Sequence, residues 1–157
     1  MSSQPQVFPW AVVPPEETVT VLVISPEEED HASLRAVLPA GWRLVSAHGF
    51  GDGVAVLRNS GAAVVVTECR LGERSWLDVL GETHGDDSRP TPRLVVVSRL
   101  AEERLWAEVL NRGAYDLLLK PLHQTEVSWV INHAFLDWRR EKEATASGRL
   151  GSRAGSG

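Results

Sequence analysis

The sequence predicts an α/β protein: a doubly wound, five-stranded parallel sheet with helices on both faces. Three observations predict it. Short apolar runs alternate with segments of helical apolar spacing, five times over. All but the run over 42–47 are continuous instead of alternating, which marks strands buried on both faces, as parallel strands are. Three of them end on polar groups, Glu68, Ser98 and Lys120, and ligand chemistry in an open α/β sheet collects at the carboxyl ends of its strands.

Taken in order, residues 19–24 are apolar apart from Thr20 and are stopped by Ser25-Pro26. Residues 27–38 read as a helix with Leu34, Val37 and Leu38 inward, ended by Pro39-Ala40-Gly41. Residues 42–47 alternate and suit an edge strand. Gly49-Phe50-Gly51-Asp52-Gly53 reads as a flexible glycine-rich loop without a phosphate-loop lysine, leading into a short helix over 51–58 with Val54 and Leu57 inward. Strand 62–67 runs into Glu68. Residues 75–84 form a helix with Leu77 and Leu80 inward, and a polar loop from Gly85 to Pro92 leads to strand 93–97. Helix 102–112 is closed by Gly113, a left-handed cap, and strand 117–119 is followed by a helix over 124–143. There Val127, Val130, Ile131, Ala134, Phe135 and Trp138 make one buried face. With right-handed crossovers, five such units give a flavodoxin-like (βα)5 sheet.

Three regions follow. Residues 1–17 contain Pro5, Pro9, Pro14 and Pro15 and read as an extended arm, with Phe8 and Trp10 able to dock on the body. Residues 18–143 form the domain. Residues 144–157 are rich in Gly and Ser and read as a flexible tail.

Composition excludes several classes. The 157 residues, 43% hydrophobic and 24% charged, suit one globular domain. Residues 1–138 carry 11 Lys/Arg against 19 Asp/Glu, so the body is acidic and ill suited to nucleic acid. Cys69 is the single cysteine, which rules out an internal disulfide and fits a reducing cytoplasm. Its place beside Glu68 admits a redox reading, but packing is the simpler one. No run is long enough for a membrane span, and the N-terminus lacks the pattern of a secretory signal. His31, His48, His84, His123 and His133 are scattered and read as surface residues, with no metal-ligand pair on one helix.

The segments Glu68-Cys69-Arg70-Leu71-Gly72 and Gly113-Ala114-Tyr115-Asp116-Leu117-Leu118-Leu119-Lys120-Pro121, with Ser98 between them, resemble the receiver domain of two-component response regulators over residues 18 to about 138. The resemblance implies a phosphorelay domain phosphorylated on an aspartate, here replaced by Glu68. It places Ser98 at the switch hydroxyl, Leu117 at a switch position often held by Tyr or Phe, and Lys120 where a lysine meets the phosphate before a cis proline. The acidic pair that holds Mg²⁺ in that family is Ser25 and Pro26 here, and neither supplies a carboxylate. Glu27, Glu28, Glu29 and Asp30 follow. They read either as a displaced metal site or, more simply, as a charged first helical turn favoured by the helix dipole.

Phosphoryl transfer depends on positioning and charge neutralisation, and both are expected to be missing. Glu68 then either stands in for a phosphorylated aspartate or simply pairs with Lys120, and Ser98 is placed to hydrogen-bond it. Arg99 either covers the pocket and pairs with Glu68 or points to solvent. Trp42, Trp76 and Trp138 fill gaps around the core. Trp106 and Trp129 sit off the inner stripes of their helices, as hot spots of an interface or flat over neighbouring aliphatics.

The sequence therefore reads as an atypical, stand-alone, cytoplasmic receiver domain of a bacterial two-component pathway. It is expected to act by protein–protein contact, without enzymatic activity, cofactor or Mg²⁺. Its expected partners are a histidine kinase, a downstream effector, or a second copy through the fourth helix, last strand and fifth helix. The alternatives are a receiver phosphorylated on Glu68 or another acceptor, a structural dimerisation module, and a small-ligand binder of flavodoxin type. Against the last, the acidic Ser25-Pro26-Glu27-Glu28 loop repels phosphate.

Overall fold

The computed structural model describes residues 18–85, 89–99 and 103–154, without the side chains of Glu103 and of residues 147–154. The arm over 1–17, with Phe8 and Trp10, lies outside the described residues. The elements in chain order are β1 (Thr20–Ile24), α1 (Glu28–Val37), β2 (Arg43–Ala47), α2 (Phe50–Ser60) and β3 (Val64–Glu68). Next come β4 (Arg70–Leu71), β5 (Arg74–Ser75), α3 (Trp76–Thr83), β6 (Arg93–Ser98), α4 (Glu103–Asn111), β7 (Asp116–Leu119) and α5 (Gln124–Ala154). The main sheet is five-stranded and parallel, in the order β2-β1-β3-β6-β7. Strand order reverses between β1 and β3, so the crevice for ligand chemistry lies beyond Ile24 and Glu68.

Alternation along each strand builds two cores. Val21, Val23, Val64, Val66, Val95, Val97 and Leu118 face one side, under Leu34 of α1 and Val127, Ile131 and Phe135 of α5. Leu22, Ile24, Val65, Leu94, Val96 and Leu117 face the other, under Trp76, Val79 and Leu80 of α3 and Val109 of α4. Each such side chain contributes about 1.5–3 kcal/mol on burial, so the two-faced sheet is the main source of stability. Trp42 and Trp138 flank Phe135, with ring centroids 5.0 and 6.2 Å away, as gap-fillers.

Five local features differ from expectation. Leu77 points outward, and the inner stripe of α3 is Trp76, Val79, Leu80 and Thr83; the capping box of Ser75 and Asp78 fixes the start that selects it. Gly49–Gly53 is no free loop, because α2 begins at Phe50 and Gly53 lies against Ile24; a Cβ there would come within 2.6 Å of Ile24 Cδ1. Inward packing from α2 comes from Val56 and Leu57. The short antiparallel pair β4–β5, turned at Gly72 with φ 66°, was not foreseen.

Finally, α5 runs to Ala154, through Ser147-Gly148 and Gly151-Ser152, well past the end expected at Glu143. Helix propagation costs less than nucleation, and this helix is anchored. Arg93 Nε and Nη1 donate to Asp137 at 2.8 Å and Glu141 at 2.7 Å, and Arg139 pairs with Glu143.

Candidate functional site

The residues beyond the strand ends converge. Ser25 follows β1, and its hydroxyl accepts from the Glu27 amide at 3.1 Å and donates to Asp30 Oδ2 at 2.6 Å. That local turn aims the first residues of α1 back over the sheet. β3 delivers Glu68. β6 and β7 stay in register to Ser98↔Leu119, and the Lys120 amide donates to the Ser98 carbonyl at 2.8 Å. The Lys120–Pro121 peptide is cis, as the resemblance implied.

Lys120 Nζ is the centre of the site. It lies 2.5 Å from Glu68 Oε2, 2.8 Å from Asp30 Oδ2 and 2.9 Å from Glu27 Oε2. Its side chain and that of Asp30 are each 5% exposed, and that of Glu68 is 14% exposed. Glu68 Oε2 and Lys120 Nζ form the tightest of these ion pairs. Arg99 Nη2 adds a second cation, donating to the same Glu27 oxygen at 3.1 Å from an exposed position. Three carboxylates thus face two cations, one of them sealed in.

The proton affinities follow from this packing. Burial alone would lower the Lys120 ammonium, but hydrogen bonds to Asp30, Glu68 and Glu27 outweigh it and push the pKa well up. Burial raises Glu68 above the usual carboxylate range; Lys120 opposes that only in part, and Asp30 and Glu27 add to it. Glu27 is held low by its hydrogen bond to Lys120.

The expected pairing of Glu68 with Lys120 is present, but Lys120 is shared among three acids. Arg99 neither pairs with Glu68 nor points free; it binds Glu27. Ser98 is buried at the end of β6, beside the Cys69 thiol. Burial also raises that thiol above its ordinary value, followed by the Glu68 charge, which favours the unreactive form. Leu117 is buried in the core on the α2–α4 side, and the Pro26 side chain brings no ligand atom. Trp106 and Trp129 are 52% and 53% exposed on α4 and α5. The Trp129 ring stacks on His133, centroids 3.8 Å apart.

Asp30 and Glu27 are the site residues that a purely helical reading of the acidic run misses. The available signal was their i, i+3 spacing, which puts both on one side of a first turn directly above the strand ends. His31 is likewise not at the surface: it is fully buried, with Nε2–H donating to the Ser25 carbonyl at 2.9 Å and Nδ1 2.9 Å from Ser46 Oγ.

The metal implied by the resemblance is Mg²⁺, which demands oxygen ligands at about 2.0–2.1 Å in near-octahedral array. Carboxylates of Glu27, Asp30 and Glu68 do cluster within 4.8 Å of one another. The point among them, however, is taken by the Lys120 ammonium, and the Ser25 hydroxyl is spent on Asp30. The residues as arranged do not fit a divalent ion. A cavity of about 460 Å³ lies away from this cluster, near the amino ends of β3 and β6, lined by Leu57, Arg58, Glu82, Arg89 and Trp138 among others.

No protein-family model and no curated protein matches the sequence. Solved structures do. The signal receiver domain of a putative LuxO repressor protein from Vibrio parahaemolyticus superposes with TM-score 0.72 at 15% identity, covering 82% of this chain and 98% of that one. A CheY-like receiver domain from Methanospirillum hungatei gives 0.69 at 19% identity, covering 80% and 99%. CheY in the CheX–CheY–beryllofluoride–Mg²⁺ complex from Borrelia burgdorferi gives 0.65 at 19% identity, covering 74% and 89%. The fold is that of the response-regulator receiver domain. No helix among the described residues is long and apolar enough to cross a membrane.

Proposed function

We propose that this chain is an atypical receiver module of a two-component pathway, acting in the cytoplasm by protein–protein contact and neither taking phosphate nor catalysing a reaction. The observation that carries this reading is the Lys120 ammonium seated among Glu27, Asp30 and Glu68. Phosphoryl transfer needs a positioned acceptor and spare positive charge. Here the acceptor position holds a longer, buried glutamate, and the lysine's hydrogen bonds are committed to three acids. Glu68 is therefore already engaged by a protein cation, and no metal or cofactor is needed to neutralise it.

Contact would be made through α4, β7 and α5, where Trp106 and Trp129 keep large aromatic surfaces in water. Trp is enriched at binding hot spots. The occupant is a protein: a histidine kinase, a downstream effector or a second copy of the chain. The acidic body gives nucleic acid little to bind.

The test is incubation of the full chain with acetyl phosphate and Mg²⁺, read by intact mass. An unmodified mass is expected. A stoichiometric phosphate adduct would overturn the reading and point to Glu68 or another residue as acceptor.

A further inference from the structure

Beside the Lys120 cluster, on the next residues of α1, lies a second cluster of different chemistry. Glu28 and His31 of α1 and His48 between β2 and α2 each bring one ligand-type atom within 4.8 Å of the others. His48 Nε2 is 2.9 Å from Glu28 Oε2, and the two imidazole rings lie 4.6 Å apart between centroids, tilted by 37°. We infer that Glu28, His31 and His48 form a binding site for a divalent transition-metal ion of the zinc type. This does not rest on the signalling reading.

Four features carry the inference. Two imidazoles and one carboxylate are a borderline-soft donor set that zinc accepts, with a fourth position left for water. Ligand atoms at about 2.0–2.2 Å from a tetrahedral ion stand roughly 3.3 Å from one another; His48 Nε2 and Glu28 Oε2, 2.9 Å apart, are already near that separation, and the His31 donor lies within 4.8 Å of both. His31 is fully buried and held by Nε2–H donation to the Ser25 carbonyl. That is how a metal-binding histidine is normally oriented from behind, leaving its other nitrogen as the lone pair. Here that nitrogen is Nδ1, which meets the Ser46 hydroxyl at 2.9 Å, a weak and displaceable partner. Glu28 and His48 are exposed and can close on an ion at little cost.

Bound metal would clamp the segment between β2 and α2 onto α1. It would also act one residue away from the Lys120 cluster. Ser25 belongs to both, its carbonyl receiving His31 and its hydroxyl holding Asp30.

The experiment is calorimetric titration of the full chain with Zn²⁺ at neutral pH, with visible absorption of added Co²⁺ as a second readout. One equivalent should bind, with the spectrum of a four-coordinate site. His48→Ala and Glu28→Gln should each weaken binding about 10–100-fold, a range typical of disturbed metal sites, at nearly unchanged thermal midpoint. Ser46→Ala, which frees Nδ1 without removing a ligand, should bind as tightly as wild type or more so. No Zn²⁺ uptake, uptake indifferent to His48→Ala, or a tenfold loss in Ser46→Ala would each overturn the assignment.

Discussion

Two clusters share the first turns of α1 and differ in what stands at their centre. In the first, Glu27, Asp30 and Glu68 surround Lys120 Nζ at 2.5–2.9 Å. In the second, ligand-type atoms of Glu28, His31 and His48 lie within 4.8 Å of one another, and the close partner of Glu28 among the described residues is His48. The lesson is that acids placed together do not by themselves make a metal site. What decides is whether a protein cation already holds the focal point. Lys120 reaches its position from 93 residues away in sequence, and once there it makes a metal superfluous.

The largest effect should come from removing that cation. Lys120→Gln leaves Asp30 and Glu68 buried without it and should cost about 3–5 kcal/mol at neutral pH, as expected for breaking a buried ion pair from one side. Chemical denaturation checks this. Combining it with Asp30→Asn and Glu68→Gln should restore most of the loss, because no uncompensated buried charge then remains. A triple variant as unstable as the single one would break the comparison.

That prediction also marks where the sequence stops being legible. The strands and both cores were readable, because a short β-branched apolar run such as 94–97, bounded by polar residues, fits a sheet buried on both faces. Glu68 with Lys120 was readable as two strand ends meeting. Burial of Asp30 and His31 was not, since a charged first turn looks the same whether it faces water or the Ser25 carbonyl and a distant lysine. Nor was the β4–β5 pair, whose strands are two residues each and depend on Gly72. The length of α5 was missed because Gly and Ser lower helix propensity locally, whereas the anchors to Arg93 are tertiary.

A second prediction contrasts the sealed cluster with the open face of α4 and α5. Trp106→Gln with Trp129→Gln should reduce self-association or partner capture, read by sedimentation or pull-down. Stability should change by no more than about 0.5 kcal/mol, as for exposed positions. A steep fall in thermal midpoint with association intact would show the tryptophans to be structural.

The third concerns pH. Glu68 is raised by burial above its ordinary 4.5, so the folded state binds its proton more tightly than the unfolded chain does. Its charge thus costs stability at neutral pH, and the cost is relieved as pH falls through the folded value towards 4.5. Glu27 is lowered, so its contribution is present above 4.5 and lost as pH falls through its folded value. Glu68→Gln should therefore flatten the upper limb of the stability profile. At neutral pH it should leave stability equal to or slightly above wild type, within about 1 kcal/mol. A loss of several kcal/mol would show that Glu68 is held by its charge.

The smallest effect is expected at Arg99, the exposed cation of the same cluster. Arg99→Ala should cost no more than about 0.5 kcal/mol, as isolated surface ion pairs do. A loss comparable to that of Lys120→Gln would erase the distinction between the two cations.

The most direct test of the central claim, that Lys120 stands where a metal would, is the thermal midpoint of the full chain with and without millimolar Mg²⁺, in wild type and in Lys120→Gln. A ligand that binds the folded state alone stabilises it in proportion to the logarithm of its concentration over its dissociation constant. The account predicts no shift in wild type and a clear upward shift in the variant, whose three carboxylates have lost their ammonium. A wild-type midpoint that climbs with Mg²⁺ would contradict it.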